Sequence, residues 1–209
     1  MCGLTLNLEE LSRWRNDNGD STHNLQYPFK SDSVIMDLGG FKGIWAQQMI
    51  DLYNPNVYII EPISEFYLNM LEKFSFNSKV KLMNVGVSNE NKESTIYINQ
   101  DSSSFNGPGI PRTVKLMTLE KIFETWNLTK IDLIQINIEG DEYTFLEQLV
   151  TSDTLNKLKY IQIQFHKGID HHVERREAIR DKLHSRGFKN RFNYDFVWEG
   201  WENKTFNTD

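Results

Sequence analysis

The stretch Val34-Ile35-Met36-Asp37-Leu38-Gly39-Gly40-Phe41-Lys42-Gly43 decides the fold of this chain. Its apolar residues predict a short buried strand with Asp37 at the carboxyl end, and the glycines let the backbone approach a ligand without an intervening Cβ. The residues after Gly43 continue as a helix whose first amides face the same crevice. A glycine-rich turn between strand and helix is typical of folds that bind nucleotide cofactors, although any tight turn of this kind also favours glycine.

A second acidic residue, Glu61, closes the next apolar run, Asn56-Val57-Tyr58-Ile59-Ile60. A carboxylate at the end of this strand can accept hydrogen bonds from both ribose hydroxyls of a nucleoside. Dinucleotide enzymes and methyltransferases both carry an acid at about this distance, roughly 20 residues beyond the glycine turn. Glu61 therefore supports a nucleoside cofactor without deciding which one is bound.

The spacing of the glycines separates these two classes of cofactor. The dinucleotide pattern G-x-G-x-x-G requires a third glycine in register, and Leu38 or Phe41 occupies that place in either alignment. The residues Asp37, Gly39 and Gly43 instead follow a D-x-G-x-x-x-G spacing, which S-adenosylmethionine enzymes use. The sequence therefore predicts S-adenosylmethionine as the cofactor and disfavours a nicotinamide-dependent oxidoreductase.

The composition limits the remaining classes. A length of 209 residues suits one well-buried core, so we expect a single domain over 1–209. A net charge of −6 and a pI near 5.4 argue against nucleic acid, which needs a basic face. The single cysteine, Cys2, fits a reducing compartment. Since no apolar run is long enough to span a membrane and the amino terminus is acidic, we expect no membrane partner and a cytoplasmic location.

Strand-like and helix-like patterns alternate along the chain, which predicts an α/β fold with a doubly wound, mostly parallel sheet. Apolar residues at helical spacing predict a helix over 4–15, within an amino-terminal segment, 1–30, that is either a lid or plain packing on a catalytic core, 33–209. Residues 95–99 predict an additional strand and 101–111 a loop. The aromatic carboxy-terminal part predicts an antiparallel hairpin that closes the sheet edge.

Polar side chains follow the predicted strands at their carboxyl ends, where the ligands of such sheets bind. Each one alone is explained equally well by a cap or a turn, as for Asn84, but five strands show the same arrangement. The residues concerned are Asp37, Glu61, Asn84, Asn137, Glu139, Gln164 and His166.

From about Ser33 to His166 the chain resembles the FkbM family of S-adenosylmethionine-dependent methyltransferases. The glutamate-glycine-x-glutamate element after the fourth strand is its most distinctive part. The resemblance implies a class I methyltransferase (Rossmann-like) fold, methyl transfer to a hydroxyl, and often sugar or polyketide substrates. The matching motifs are Asp37-Leu38-Gly39, Glu61-Pro62, Val87-Ser88, Ser102-Ser103-Ser104, Met117-Thr118-Leu119-Glu120 and Ile136-Asn137-Ile138-Glu139-Gly140-Asp141-Glu142-Tyr143.

The chain also departs from the common family form. Gln135 and Asn137 stand where the family has lysine and aspartate, and Gln164 where it has glutamate. Two acids are thus replaced by amides, which makes the site less anionic and disfavours a divalent metal held by carboxylates. The same replacements motivate a second hypothesis, a catalytically silent module that binds the cofactor for a regulatory purpose.

We predict roles for the cofactor site as follows. Glu61 binds the ribose, Gly39 and the turn amides bind the methionine part, and Asn84 with Val85 borders the adenine. Asp37 orders the turn or meets the ammonium group. The complete predicted cofactor site is Asp37, Gly39, Gly43, Glu61, Asn84, Val85 and Asn137.

For methyl transfer to a hydroxyl, a base must take the proton of the acceptor. His166 is the first candidate because an imidazole accepts a proton near neutral pH, and Glu139 is the second. His166 is also explained by a structural bond to a backbone carbonyl. Asn137 is predicted, from the resemblance, to lie between cofactor and acceptor. The acceptor, a small molecule or a saccharide such as a glycan or nucleotide-linked sugar, is predicted to contact Gln164, Ser103 and Tyr27.

Overall fold

The computed structural model describes residues 7–99, 102–104 and 109–206. The helices are α1 (Leu8–Asn16), α2 (Ile44–Tyr53), α3 (Ser64–Lys73), α4 (Leu119–Trp126), α5 (Glu142–Leu149) and α6 (His172–Ser185). The strands are β1 (Val34–Leu38), β2 (Asn56–Ile60), β3 (Val80–Met83), β4 (Gly86–Val87), β5 (Lys92–Asn99), β6 (Ser102–Ser104), β7 (Ile110–Met117), β8 (Ile131–Ile136), β9 (Leu158–Ile163), β10 (Phe188–Tyr194) and β11 (Trp198–Asn203).

The central sheet has seven strands in the order β10-β11-β9-β8-β1-β2-β3. Strands β3, β2, β1, β8 and β9 are parallel to one another, whereas β11 is antiparallel to both β9 and β10. The predicted doubly wound, mostly parallel sheet with a carboxy-terminal antiparallel hairpin is therefore confirmed.

The direction of winding reverses between β1 and β8. From β1 the chain proceeds outward through β2 to β3, and it then returns to place β8 on the other side of β1. In the register of this pair, Asp37 lies opposite Gln135 and Leu38 opposite Ile136. Ligands of open α/β sheets bind in the crevice beyond such a switch point, so the fold itself indicates where a site should lie.

The two faces of the sheet form separate apolar layers because successive side chains of a strand point to opposite sides. On one face, Met36 and Ile134 belong to the cluster that includes residues of α4, α5 and α6. On the other face, Ile35 and Leu133 pack with residues of α2 and α3. Each fully buried aliphatic side chain stabilises the fold by about 1.5–3 kcal/mol.

The amino-terminal helix α1 is anchored on the carboxy-terminal hairpin. The indole of Trp14 is buried and packs edge-on to Tyr194 and against Phe192. The hydroxyl of Tyr194 donates to Oδ2 of Asp17 at 2.6 Å. Helix α1 begins at Leu8, whereas the sequence predicts a helix over 4–15 of which residues 4–6 lie outside the described range.

A second sheet is formed by strands that follow β3 in the sequence, in the order β4-β7-β5-β6, with β7 before α4. Its first strand, Gly86–Val87, pairs in parallel with β7. Its strand pattern differs from the predictions in one place. The predicted loop 101–111 contains strand β6, which pairs with β5, because the polar run Ser102–Ser104 continues the ladder without any apolar signal. Within the described residues, no helix has both the length and the apolar character needed to cross a membrane.

Candidate active site

The glycine turn after β1 passes very close to the end of β8. Gly39 has a φ of +86°, and a Cβ built there would lie 2.1 Å from the carbonyl oxygen of Asn137. The amides of Gly39 and Gly40 donate to the carbonyl of Ile60 at 3.0 and 3.2 Å. Glycine is therefore required at position 39 by the approach of two backbones, and the turn lies directly over the switch point.

Gly43, which the sequence also assigns to the cofactor site, is constrained by a different neighbour. Its φ is +62°, and an added Cβ would lie 2.7 Å from the ring of Phe74 and 3.2 Å from the sulfur of Met70. Both of these side chains belong to the apolar layer under α2 and α3. The packing of the helices thus accounts for this glycine without a ligand.

Glu61 connects the end of β2 to the glycine turn. Its side chain is 4 % exposed, Oε2 accepts from the amide of Phe41 and Oε1 from the amide of Ile63, both at 2.8 Å. Burial raises the pKa of Glu61 to about 7, although these two hydrogen bonds oppose the rise. Each carboxylate oxygen keeps a lone pair that ribose hydroxyls can use.

Buried oxygens without a donor mark the switch point. Oδ1 of Asp37, Oε1 of Gln135 and Oδ1 of Asn137 have no hydrogen-bond partner among the described residues. Burial, together with the nearby Glu61, raises the pKa of Asp37 to about 7. Because buried polar atoms are normally paired, these acceptors fit a ligand that carries N–H or O–H donors. The ammonium and ribose groups of S-adenosylmethionine are such donors.

Asn84 and Val85 are engaged within the protein. The amide nitrogen of Asn84 donates to the carbonyls of Glu61 and Pro62 at 2.9 and 3.1 Å, and its oxygen accepts from Ser64 at 2.9 Å. The side chain of Val85 is buried in the main apolar cluster. Asn84 therefore fixes the turn after β2 and Val85 belongs to the core, and a contact of either residue with adenine stays a prediction.

The turn after β8 carries a strained backbone. Glu139 has a φ of +55° and Gly140 one of +110°. A left-handed conformation costs a residue with a side chain about 1–3 kcal/mol and persists only where the surroundings hold it. The amide of Gly140 donates to Oε2 of Glu142 at 2.8 Å, and the amide of Asp141 donates to the carbonyl of Ile138 at 3.3 Å, so both contacts hold this turn.

His166 lies against the same glutamate. Oε1 of Glu142 accepts from the main-chain amide of His166 at 2.7 Å and lies 3.1 Å from ring atom Nδ1. The other ring nitrogen, Nε2, is 3.8 Å from Oε2 of Glu139. The partner of the ring is thus a carboxylate rather than the backbone carbonyl of the structural alternative.

Electrostatics strengthen the basicity of His166. Burial lowers its pKa, but the hydrogen bond and charge of Glu142 and the charge of Glu139 outweigh this and raise the pKa above its usual value. Burial raises the pKa of Glu139, with the positive form of His166 opposing the rise and Glu142 adding to it. Burial and Glu142 also raise the pKa of Asp141, to about 7.

Glu142 is absent from the site residues that the sequence predicts. It stands in the glutamate-glycine-x-glutamate element, so the signal was present, but its two partners lie 2 and 24 positions away in the chain. Only the folded structure brings the end of β9 to the first turn of α5. The site therefore contains one buried carboxylate more than predicted.

The predicted acceptor residues are placed differently from one another. The main-chain amide of Gln164 donates to the carbonyl of Ile136 at 3.0 Å, which puts Gln164 at the strand ends. Tyr27 is only 6 % exposed, and its hydroxyl accepts from Gln162 at 2.8 Å, which indicates a packing role. Ser103 lies in β6, and its side chain is outside the described part of the structure.

No three His, Cys, Asp or Glu side chains in the described ranges are grouped so that they could hold a metal ion. Nδ1 of His172 lies 3.0 Å from the carbonyl of Ile169, and its ring packs edge-on to Phe196. His172 is thus held by its own helix end.

Known proteins share this architecture. Residues 37–189 match the family described as Methyltransferase FkbM domain. The Streptococcus mutans protein SMU.1697c, solved in complex with SAH, has a TM-score of 0.57 at 12 % identity, over 88 % of this chain and 96 % of that chain. Methanococcus jannaschii fibrillarin, a pre-rRNA processing protein, has a TM-score of 0.53 at 19 % identity, over 86 % and 70 %.

Aeropyrum pernix fibrillarin with natively bound S-adenosyl-L-methionine has a TM-score of 0.50 at 11 % identity, over 84 % of this chain and 69 % of that chain. At such identities the likeness shows a common fold. A search of curated proteins found no match.

Proposed function

The chain belongs to the FkbM methyltransferase family and uses S-adenosylmethionine, and we propose that it transfers the methyl group to a hydroxyl oxygen of a saccharide, either a glycan or a nucleotide-linked sugar. The observation that supports this acceptor chemistry is the pair of Glu142 and His166 at the end of the sheet. An imidazole fixed by a buried carboxylate is suited to take a proton from a weakly acidic hydroxyl.

The cofactor is held by the residues of the switch point. Glu61 accepts hydrogen bonds from the ribose hydroxyls. The carboxylate of Asp37 and the side-chain amide of Asn137 meet the donors of the methionine part. Because Gly39 has no side chain, the methionine part can come close to the backbone of the turn. When bound, S-adenosylmethionine supplies an electrophilic methyl group that an oxygen nucleophile displaces from sulfur.

His166 is the general base of this proposal. Nε2 takes the hydroxyl proton of the acceptor, which contributes roughly 10²–10⁴-fold to the rate. Glu139, whose Oε2 is 3.8 Å from Nε2, stabilises the positive imidazolium that results.

The amides of Gln164 and Asn137 favour a neutral, hydroxyl-rich acceptor. An amide both donates and accepts, which is the combination that sugar hydroxyls need. The net charge of −6 disfavours a polyanionic acceptor such as RNA, which some proteins of the same fold modify according to their titles.

The test begins with the cofactor. Calorimetric titration with S-adenosylmethionine is compared for the wild type, Glu61→Ala and the matched exposed variant Glu124→Ala, with NAD as the control ligand. We expect micromolar binding in the wild type and Glu124→Ala, a loss in Glu61→Ala, and no binding of NAD. Binding of NAD in place of S-adenosylmethionine would overturn the cofactor assignment.

The acceptor is tested next with a panel of glycans and nucleotide-linked sugars, and methyl incorporation is read by mass spectrometry. Transfer to a sugar hydroxyl, lost in His166→Asn, is the expected result. Tight cofactor binding with transfer to RNA or protein alone would overturn the saccharide proposal, and binding without any transfer would favour the silent regulatory module.

A further inference from the structure

The first residue of α5 is an unusual place for a fully buried charge. Glu142 is 0 % exposed. A buried carboxylate is retained only where hydrogen bonds or opposite charges compensate for its lost hydration. The amino-terminal turn of a helix supplies part of this compensation, because its amide dipoles favour a negative charge.

One oxygen of this carboxylate holds the backbone of the turn after β8. Oε2 accepts from the amide of Gly140 at 2.8 Å, directly after the left-handed Glu139. The strained conformation at Glu139 sets the direction in which its side chain leaves the backbone. Loss of the bond to Gly140 would release that conformation.

The other oxygen holds both the backbone and the ring of His166. Oε1 accepts from its amide at 2.7 Å and lies 3.1 Å from Nδ1. The following residue, Tyr143, fixes the main-chain carbonyl of the same histidine, since its hydroxyl donates to the carbonyl oxygen of His166 at 2.7 Å. The backbone of His166 is thus held by two side chains, whereas the hydrogen bond that orients its ring comes from Glu142.

We propose that Glu142 is the positioning residue of this site: its carboxylate fixes the proton of His166 on Nδ1, and with the bond to Gly140 it directs Nε2 of His166 and the carboxylate of Glu139 to one place. The reaction that uses this geometry rests on the function proposed above. The orientation itself is a property of the chain and is open to measurement without an acceptor.

The charged groups around the ring of His166 determine how a substitution should change its titration. Glu142 faces Nδ1 and Glu139 faces Nε2. Burial and the charge of Glu142 raise the pKa of Asp141, and Lys92 of β5 opposes this rise. Both direct neighbours of the ring are acidic. Removal of one of these charges should therefore make His166 easier to deprotonate.

The first measurement is made on the wild-type protein. ¹⁵N chemical shifts of the His166 ring, assigned by comparison with His166→Asn, report which nitrogen carries the proton in the neutral form. We expect the proton on Nδ1. A neutral ring protonated on Nε2 would overturn the proposal whether or not Glu142→Gln folds.

The second measurement compares Glu142→Gln with Tyr143→Phe. Glu142→Gln keeps the shape of the side chain but removes its charge, so the titration midpoint of His166 should move to lower pH and the preference for Nδ1 should be lost. Tyr143→Phe removes a hydrogen bond to His166 without changing a charge near the ring. The titration midpoint and the tautomer of His166 should therefore stay as in the wild type. An unchanged midpoint and tautomer in a folded Glu142→Gln variant would overturn the proposal.

Once an acceptor is known, Glu142→Gln should lower kcat by roughly 10²–10⁴-fold, the range of a general base, while calorimetric affinity for S-adenosylmethionine stays within a factor of a few. If the ring readouts behave as expected and no saccharide is methylated, the function proposed above fails while the positioning role stands. Equal kcat values in the two variants would overturn the positioning role.

Discussion

The carbonyl oxygen of Asn137 lies 2.1 Å from the position that a Cβ would take on Gly39. Gly39→Ala must therefore separate the glycine turn from β8, in addition to a cost of about 1–2 kcal/mol for the left-handed backbone. We expect at least tenfold weaker binding of S-adenosylmethionine, measured by calorimetry, with unfolding in urea as the measure of stability.

Gly43→Ala is the matched control for this change. Its added Cβ meets Phe74 in the apolar layer, so the variant should be less stable in urea but should bind the cofactor better than Gly39→Ala. The reverse order of affinities would show that Gly43 is the ligand-facing glycine.

Cofactor affinity should depend on pH around neutrality. The pKa values of Asp37 and Glu61 are raised to about 7, by burial first, and for Asp37 also by Glu61. Below this pH both carboxyls bind protons that must be lost before they can accept from an ammonium or two hydroxyls. The Kd should rise by about tenfold in total for each such group as the pH falls from 8 to 6, with most of the rise below pH 7, measured by calorimetry. A Kd that is constant over this range would contradict the assignment.

Asp37→Asn should stabilise the cofactor-free chain at pH 8 and weaken cofactor binding. An acid whose folded pKa is raised contributes stability below its usual value near 3.8, and this contribution is lost as the pH rises through about 7. The amide removes the buried charge that forms at high pH. We expect a Tm higher by about 2–4 °C for each kcal/mol gained at pH 8 and a smaller gain at pH 5, measured by thermal denaturation. A lower Tm at pH 8 would show that the charge is compensated within the protein.

A buried ion network secures the hairpin to α6. Oε2 of Glu199, which is 1 % exposed, lies 2.6 Å from Arg180 and 3.4 Å from the buried Arg176. Glu199→Ala leaves two guanidinium groups without this partner. The change should lower the free energy of unfolding, measured in urea, by about 3–5 kcal/mol.

Glu177→Ala provides the exposed counterpart. Glu177 contacts the same two arginines, at 3.2 and 3.6 Å, but its side chain is 55 % exposed. A surface pair of this kind contributes about 0–1 kcal/mol. Equal losses of unfolding free energy in Glu199→Ala and Glu177→Ala would contradict the view that burial makes the Glu199 contacts the stronger ones.

Tyr27→Phe separates packing from recognition. The change removes the hydroxyl that accepts from Gln162 but keeps the ring stacked on Phe29, so stability should fall by about 0.5–1.5 kcal/mol. Because the side chain is buried, KM for a saccharide should stay unchanged in steady-state assays. A large rise in KM would support the sequence-based prediction that Tyr27 contacts the acceptor.

The sequence predicts those parts of the fold that depend on neighbours in the chain. The apolar runs at 34–38 and 56–60 are strands in the structure, as the sequence predicts. A run of buried β-strand residues carries its own signal, since its length and polarity are local.

The parts that the sequence did not predict depend on partners far along the chain. Gly39 and Gly43 look alike in the motif, yet one meets the backbone of Asn137 and the other the ring of Phe74. Glu142 was overlooked because its role depends on His166, which only the packing of β9 beside β8 brings to it. Local patterns contain no information on such distant contacts.

The anchoring of α1 on β10 also has a consequence for the order of biosynthesis. The hydrogen bond from Tyr194 to Asp17 joins residues 177 positions apart. At a translation rate of about 5–20 residues per second, α1 therefore waits roughly 9–35 s for the strand that covers Trp14. During this interval the indole of Trp14 is exposed to other nascent chains and to chaperones, until β10 emerges and packs on it.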